Sequence, residues 1–274
     1  MRKMMLIGLL VIMIALLLSA CQNSQEASPE NAATATNTPI PTNTPEPSPT
    51  PSPSPTPNAE QVLSNSIVAI GEVESVTQSQ VSLINTAVLS NTQTQTCAYE
   101  QPANAYCQIT AVLVPPGSTR PLENKYEILF LDGEAWTRED GRPEWESVPA
   151  DDAEAASLIA QPQTPFSLPE TAVTDPQMTD VTDLDGIPVY QIEATVDETA
   201  VTDILGDSVQ GLLAFTQNME VSTTLWVGVD DFLVYKQTIL ATFTFQGTPV
   251  EFTSEITNSA FNQPKQFPDP SATN

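Results

Sequence analysis

The chain has 274 residues, with 34 Asp and Glu against 8 Lys and Arg, a net charge of −26 and no histidine. A surface that acidic repels nucleic acid and anionic headgroups, so nucleic acid is not a partner. The missing histidine removes the commonest general base and the commonest metal ligand, so no enzyme, metal site or cofactor is expected.

The chain opens with MRKMMLIGLLVIMIALLLSAC. Arg2 and Lys3 precede an apolar run over residues 4–18, and Leu18-Ser19-Ala20-Cys21 resembles the bacterial lipobox. The resemblance implies a signal peptide over residues 1–20, cleavage before Cys21, and a diacylated, palmitate-type Cys21 as the new first residue. An uncleaved membrane helix is the alternative, the stretch being nearly long enough to span. One acyl chain binds a membrane marginally and two bind it stably, so lipid on Cys21 makes a lasting anchor. The protein is then held at the bacterial cell membrane with its body on the extracytoplasmic side. Residues 21–58 follow as a Pro/Thr/Ser-rich tether. Proline at almost every second position of 45–57 favours polyproline II, a semi-rigid spacer of ~3.1 Å per residue.

Residues 59–270 are long enough for one domain with a sizeable core, and 271–274 form a tail. Leu63, Ile67 and Ile70 predict a short helix over 59–73. Residues 76–89, rich in Ser, Thr, Gln and β-branched side chains, read as a strand pair or one long bent strand. Pro102 and Asn104 suit a turn between Cys97 and Cys107, and 108–114 is a strand. Residues 125–131 and 134–138 flank Asp132-Gly133, a strong hairpin signal. A short helix over 151–159 and an irregular, proline-punctuated stretch over 161–182 come next. A strand over 187–196, a helix over 198–215 and strands over 219–227, 232–245 and 249–256 complete the domain.

The fold class is mainly β with some helix (α+β): a strongly curved antiparallel sheet, or unclosed half-barrel, with helices covering its concave face. Alternation places Tyr190, Ile192 and Val196 on one face of their strand, and Leu233, Tyr235, Ile239 and Phe243 on one face of theirs. These side chains either cover a solid core or line an apolar cavity; periodicity alone does not separate the two. Trp136 and Trp145 flank a turn near residues 139–143, where they close the barrel end or line the cavity mouth.

Four segments, in order, resemble the LppX/LprAFG lipoproteins of the wider LolA/LolB-like group. They are KYEILFLDGEAWTREDGRPEW, LDGIPVYQIEATVD, TTLWVGVDDFLVYKQTI and the tail EITNSAFNQPKQFPDP. The resemblance covers most of 59–270 and rests on order and spacing. It implies an unclosed antiparallel barrel with an apolar cavity for acyl chains, and a protein that binds or carries lipid or lipidated molecules. On that basis the candidate cavity lining is Tyr190, Ile192, Val196, Leu233, Tyr235, Ile239, Phe243 and Trp136. The cysteine pair and the acidic surface depart from the family pattern. The alternative function is an envelope sensor or scaffold domain, on the same fold with a solid core, whose protein partner the sequence does not name.

In an exported domain Cys97 and Cys107 are expected to form a disulfide, since zinc would need further soft ligands nearby. Gly206-Asp207-Ser208 hints at an esterase block, but G-x-S-x-G is not met and no histidine activates the serine. Acidic pairs at Asp151/Asp152, Asp183/Asp185 and Asp230/Asp231 lack calcium-loop spacing and read as turn and cap residues.

Overall fold

A computed structural model describes residues 57–86, 90–101, 104–115, 120–148, 173–197 and 216–271. The expected leader, Cys21, most of the tether, the helices over 151–159 and 198–215, Asp151/Asp152 and Gly206-Asp207-Ser208 lie outside these residues. Helix α1 spans Ala59–Gly71. Asn58 caps it by accepting from Gln61 N at 2.8 Å, while Gln61 Oε1 accepts from Asn58 N at 3.0 Å. This reciprocal box satisfies two of the backbone donors that a helix start leaves orphaned. Its buried stripe is Ala59, Val62, Leu63 and Ser66, with Ile67 exposed. The apolar face therefore sits one position earlier than 63-67-70 predicts. A step of three or four residues from Ala59 selects 62, 63 and 66 instead.

The strands are β1 Ser75–Thr86, β2 Ser90–Glu100, β3 Asn104–Val114, β4 Leu122–Leu131, β5 Glu134–Glu139 and β6 Glu146–Ser147. Then follow β7 Val173–Leu184, β8 Ile187–Val196, β9 Thr216–Gly228, β10 Val234–Phe245 and β11 Thr248–Ser259. They form one 11-stranded antiparallel sheet in the order β6-β5-β4-β3-β2-β1-β11-β10-β9-β8-β7. Each half is a ladder of sequential neighbours, and the halves meet where β1 pairs β11, with Ser82 opposite Ser254. The sheet does not close: β6 and β7 are its two edges. The fold is a mostly β, unclosed half-barrel.

Two expectations are corrected. Residues 75–86 form one strand rather than a pair, and residues 90–100, beyond the strand pair or long bent strand read over 76–89, form another. The stretch over 161–182, read as irregular, contains most of edge strand β7, which spans Val173–Leu184. Its register slips between Thr174 and Gln177, where Asp175 has φ 51° and Pro176 follows. Proline belongs at such an edge bulge because it has no N–H to give a ladder.

Helix α1 packs against one face of the sheet through Val62 and Leu63, which meet a cluster containing Tyr190, Ile192, Leu225, Val227 and Val234. Burying each such aliphatic side chain stabilises by about 1.5–3 kcal/mol. A second cluster joins Val76, Tyr99, Phe130, Ile128 and Ala135. Register puts both on the same face: Ile192 pairs Leu225, Leu225 pairs Gln237, Gln237 pairs Ile256, and Ile256 pairs Gln80. From Gln80 the row runs on through Gln95 and Ile109 to Tyr126. This is the inner face.

Candidate functional site

The inner wall is not uniformly apolar. Gln78, Gln80, Ser82, Asn91, Gln93, Thr223, Gln237, Ser254 and Asn258 are each at most 6% exposed. All lie on the inner face, in rows crossing β1, β2, β11, β10 and β9. In β1 the usual alternation is inverted: Gln78, Gln80 and Ser82 are buried, while Val81 and Leu83 face outward and are exposed. The polar band separates the two apolar clusters. No charged residue occupies the inner face of β1–β4 or β8–β11.

Part of the band satisfies itself. Gln80 Nε2 donates to Ser82 Oγ and to Ser254 Oγ at 3.0 Å each, and the two hydroxyls lie 3.0 Å apart. Gln237 Nε2 donates to Thr223 Oγ1 at 3.1 Å, and Asn258 Nδ2 donates to the Val234 carbonyl at 2.7 Å. Among the described residues, three buried side-chain atoms have no hydrogen-bond partner: Gln93 Oε1, Tyr126 Oη and Asn258 Oδ1. Burial pushes the Tyr126 phenol up to about 12. Such orphans are uncommon, because burying an unpaired polar atom costs roughly 1–3 kcal/mol.

The candidate lining residues divide between the faces. Tyr190, Ile192, Val196 and Ile239 are buried on the inner face. Phe243 shares that face farther along β10, opposite Val250, and is half-buried. Leu233 packs into the Val76 cluster. Tyr235 is the extra residue of a bulge between Val234 and Lys236, so Val234 takes the inner position instead. Tyr235 Oη donates to Asp231 Oδ2 at 2.6 Å, and its ring meets Phe261 edge-on. Burial, then the neighbouring Asp231 carboxylate, push that phenol up to about 12.

Trp136 pairs with Leu129 on the face opposite Ala135 and Phe130, so it stands on the outer wall. The wall there is built by Glu127, which accepts from Tyr106, Gln108 and Arg138. Trp145 returns over this group, with the Arg138 guanidinium carbon 4.5 Å from its ring centre. Burial opposes ionisation of Glu127, but those hydrogen bonds and the guanidinium charge outweigh it and hold the carboxyl below its ordinary value. A groove of about 470 Å³ runs beside this group, lined in part by Lys125, Glu127, Arg138 and Arg142. Each of its cations is paired, Lys125 to Glu123, Arg138 to Glu127, and Arg142 to Glu139 and Glu146. An anion arriving there would have to displace a carboxylate.

Cys97 and Cys107 face each other across β2 and β3 and are joined by a disulfide within the Val76 cluster. Asp183 accepts from Gly186 N, and Asp231 accepts from Leu233 N, so both hold turns. Among the described residues no group of three or more His, Cys, Asp or Glu is placed to hold a metal. Among them, too, no helix is long and apolar enough to cross a membrane.

The Phe261-Asn262-Gln263-Pro264 tail is seated on the start of β1. Asn262 Oδ1 accepts from Glu74 N at 2.8 Å, and Ser75 Oγ donates to the Gln263 carbonyl at 2.6 Å. The polar inner band went unseen in sequence because residues 91–95 of β2 are polar on both faces and β1 turns its apolar Val81 and Leu83 outward. Its signal was the period-two run Gln78, Gln80, Ser82 set against Val81 and Leu83.

No protein-family model and no curated protein sequence matches the chain. Among solved structures, LprF from Mycobacterium bovis superposes with TM-score 0.51 at 17% identity, over 80% of this chain and 100% of that one. Lipoprotein LppX from Mycobacterium tuberculosis gives TM-score 0.45 at 12% identity, over 76% of this chain and 97% of that one. A LolA-superfamily protein from Nitrosomonas europaea gives 0.28 at 11% identity, over 78% and 96% respectively. The LprF superposition shows that the two chains share a fold.

Proposed function

We propose that this chain is a membrane-anchored extracytoplasmic lipoprotein that holds lipid or a lipidated molecule against the inner face of its half-barrel. One observation carries the reading. The sheet stays open between its edges β6 and β7, yet its inner face is buried, uncharged and apolar over Ile192, Ile239 and Phe252. A wall of that kind offers acyl chains about 0.8 kcal/mol per methylene removed from water. The lipobox-like Cys21 and the proline-rich tether supply attachment and reach, at the bacterial cell membrane on the extracytoplasmic side.

The self-satisfied Gln80–Ser82–Ser254 group favours a second reading, a filled interior serving an interaction domain, since it needs no occupant. Native mass spectrometry of the full chain, purified in mild detergent, separates the two. A carrier comes out with lipid, and Ile192→Glu or Ile239→Glu loses that lipid while the chain stays folded. If the wild type never carries lipid and both variants unfold, the interior is solid and the carrier reading is wrong.

A further inference from the structure

Resting on the lipid-binding reading, we infer that the inner wall contains a hydrogen-bonding subsite, centred on Gln93, for an uncharged group bearing a hydroxyl. The occupant is a neutral lipid whose hydroxylated portion sits inside the sheet. It is neither a bare hydrocarbon nor an anionic phospholipid.

The geometry starts from the orphans. Gln93 is 4% exposed and its Oε1 has no partner; the buried Tyr126 Oη has none either. Gln93 stands opposite Ala111 on β3, and Tyr126 stands opposite the adjacent inner residue of β3, Ile109. The two orphans therefore flank one strand, one step apart along it, on the same face. Ala111 is the smallest side chain in that row. The amide oxygen can only accept and the phenol can also donate, so a hydroxyl between them would use both capacities.

The neighbours do not compete. Gln80, Ser82 and Ser254 are bonded to one another. Lys125, Arg138 and Arg142 line a groove that also reaches Tyr126, but each is already paired with a carboxylate, so none stands ready to neutralise a phosphate. Lys125, Arg138 and Lys236 are on the outer face, Arg120 and Arg142 lie outside the strands, and Lys265 is in the tail bonded to Thr77 and Ala260. Bringing a charge into such a wall costs far more than bringing a hydroxyl that finds both partners.

The test uses the delipidated full chain and three probes with identical chains: 1,2-dioleoylglycerol, its 3-O-methyl ether, and dioleoyl phosphatidate. Each is offered from phosphatidylcholine vesicles, and retained probe is quantified by mass spectrometry. The free hydroxyl is expected to raise retention about tenfold over the ether, with phosphatidate retained least. Gln93→Met and Tyr126→Phe remove orphans, so each is expected to fold at least as stably as the wild type while abolishing the preference for the hydroxyl. Equal retention of alcohol and ether by the wild type overturns the subsite and leaves lipid binding standing. A preference that survives both substitutions overturns the assignment to Gln93 and Tyr126. Retention of no probe at all overturns the lipid-binding reading together with the subsite. The wild-type comparison decides the matter even where a variant fails to fold.

Discussion

Gly228 and Asp231 are in contact so close that no side chain fits at position 228 while the Asp231 carboxylate keeps its place. A Cβ at position 228 would lie 2.0 Å from Asp231 Oδ1 and 2.9 Å from the Tyr235 ring. Asp231 holds its place by accepting from Leu233 N at 3.0 Å and from Tyr235 Oη at 2.6 Å. Gly228→Ala must expel the carboxylate and break both bonds, at a cost of about 2–4 kcal/mol in urea unfolding. Asp231→Ala alone costs about 1–2 kcal/mol. The double variant should lose less than the two losses added, because the tighter of the two clashes disappears with the carboxylate and only that with the Tyr235 ring remains.

The Ser82–Ser254 contact behaves differently, because its partners satisfy only one another. Ser254→Ala or Gln80→Met alone is expected to cost about 1–2 kcal/mol. Removing all three polar groups, by Gln80→Met, Ser82→Ala and Ser254→Ala together, should cost clearly less than the sum. Strict additivity in denaturant titrations would show that the group is not a unit.

Cys97 and Cys107 close a loop with a sequence separation of 10 and lie 0% and 4% exposed. Replacing both by alanine should lower stability by about 2–3 kcal/mol. In the native chain neither sulfur is expected to be alkylated without reductant. Free thiols in the freshly purified, unreduced protein would contradict the pairing.

Alkaline pH should unfold the domain through its tyrosines. Tyr126, Tyr106 and Tyr235 are each held up to about 12 in the fold, chiefly by burial, against an ordinary 10.0. Between those values the unfolded chain has lost protons that the folded chain retains, so stability is complete below pH 10 and falls as pH rises toward 12. For enclosed Tyr126 the slope is at most about 1.4 kcal/mol per pH unit, and the more open Tyr106 and Tyr235 contribute less. Tyr126→Phe should flatten the decline, as read from thermal midpoints across that range.

The anchor is tested by metabolic labelling. Cys21→Ala should abolish palmitate incorporation and leave an unprocessed precursor. Label that survives the substitution would rule out Cys21 as the attachment point.

Hairpins with short turns were legible in sequence. Asp132-Gly133 sits in the turn between β4 and β5, with φ 53° and 84°, the left-handed pair that such turns require. Strand β8 was equally clear, since Tyr190, Ile192, Ala194 and Val196 alternate with polar residues on a half-exposed strand. What failed were departures from strict alternation. One inserted residue at Tyr235 shifted the parity of the residues before it, moving the inner position from Leu233 and Tyr235 to Val234. Strand β2 carries polar residues on both faces through Asn91–Gln95, which leaves no hydrophobic signal to read. Trp136 was assigned by residue type, and only the pairing with Leu129 tells which wall it stands on. The same cause hid the Gln93 subsite: a buried polar wall has the composition of a loop.

The first and last strands of the sheet are its middle. Thr77 lies opposite Ser259, so every pairing between the halves waits for the end of the chain. Each half is a series of hairpins that can zip locally within microseconds, whereas the central seam must close a loop spanning nearly the whole domain. A polypeptide cut short before residue 248 is therefore not a slightly smaller version of this protein. It is two separate ladders, each with a raw central edge and no shared interior, and such edges invite pairing with other chains. Synthesis is proofread by geometry: only a chain completed through β11 has an inside.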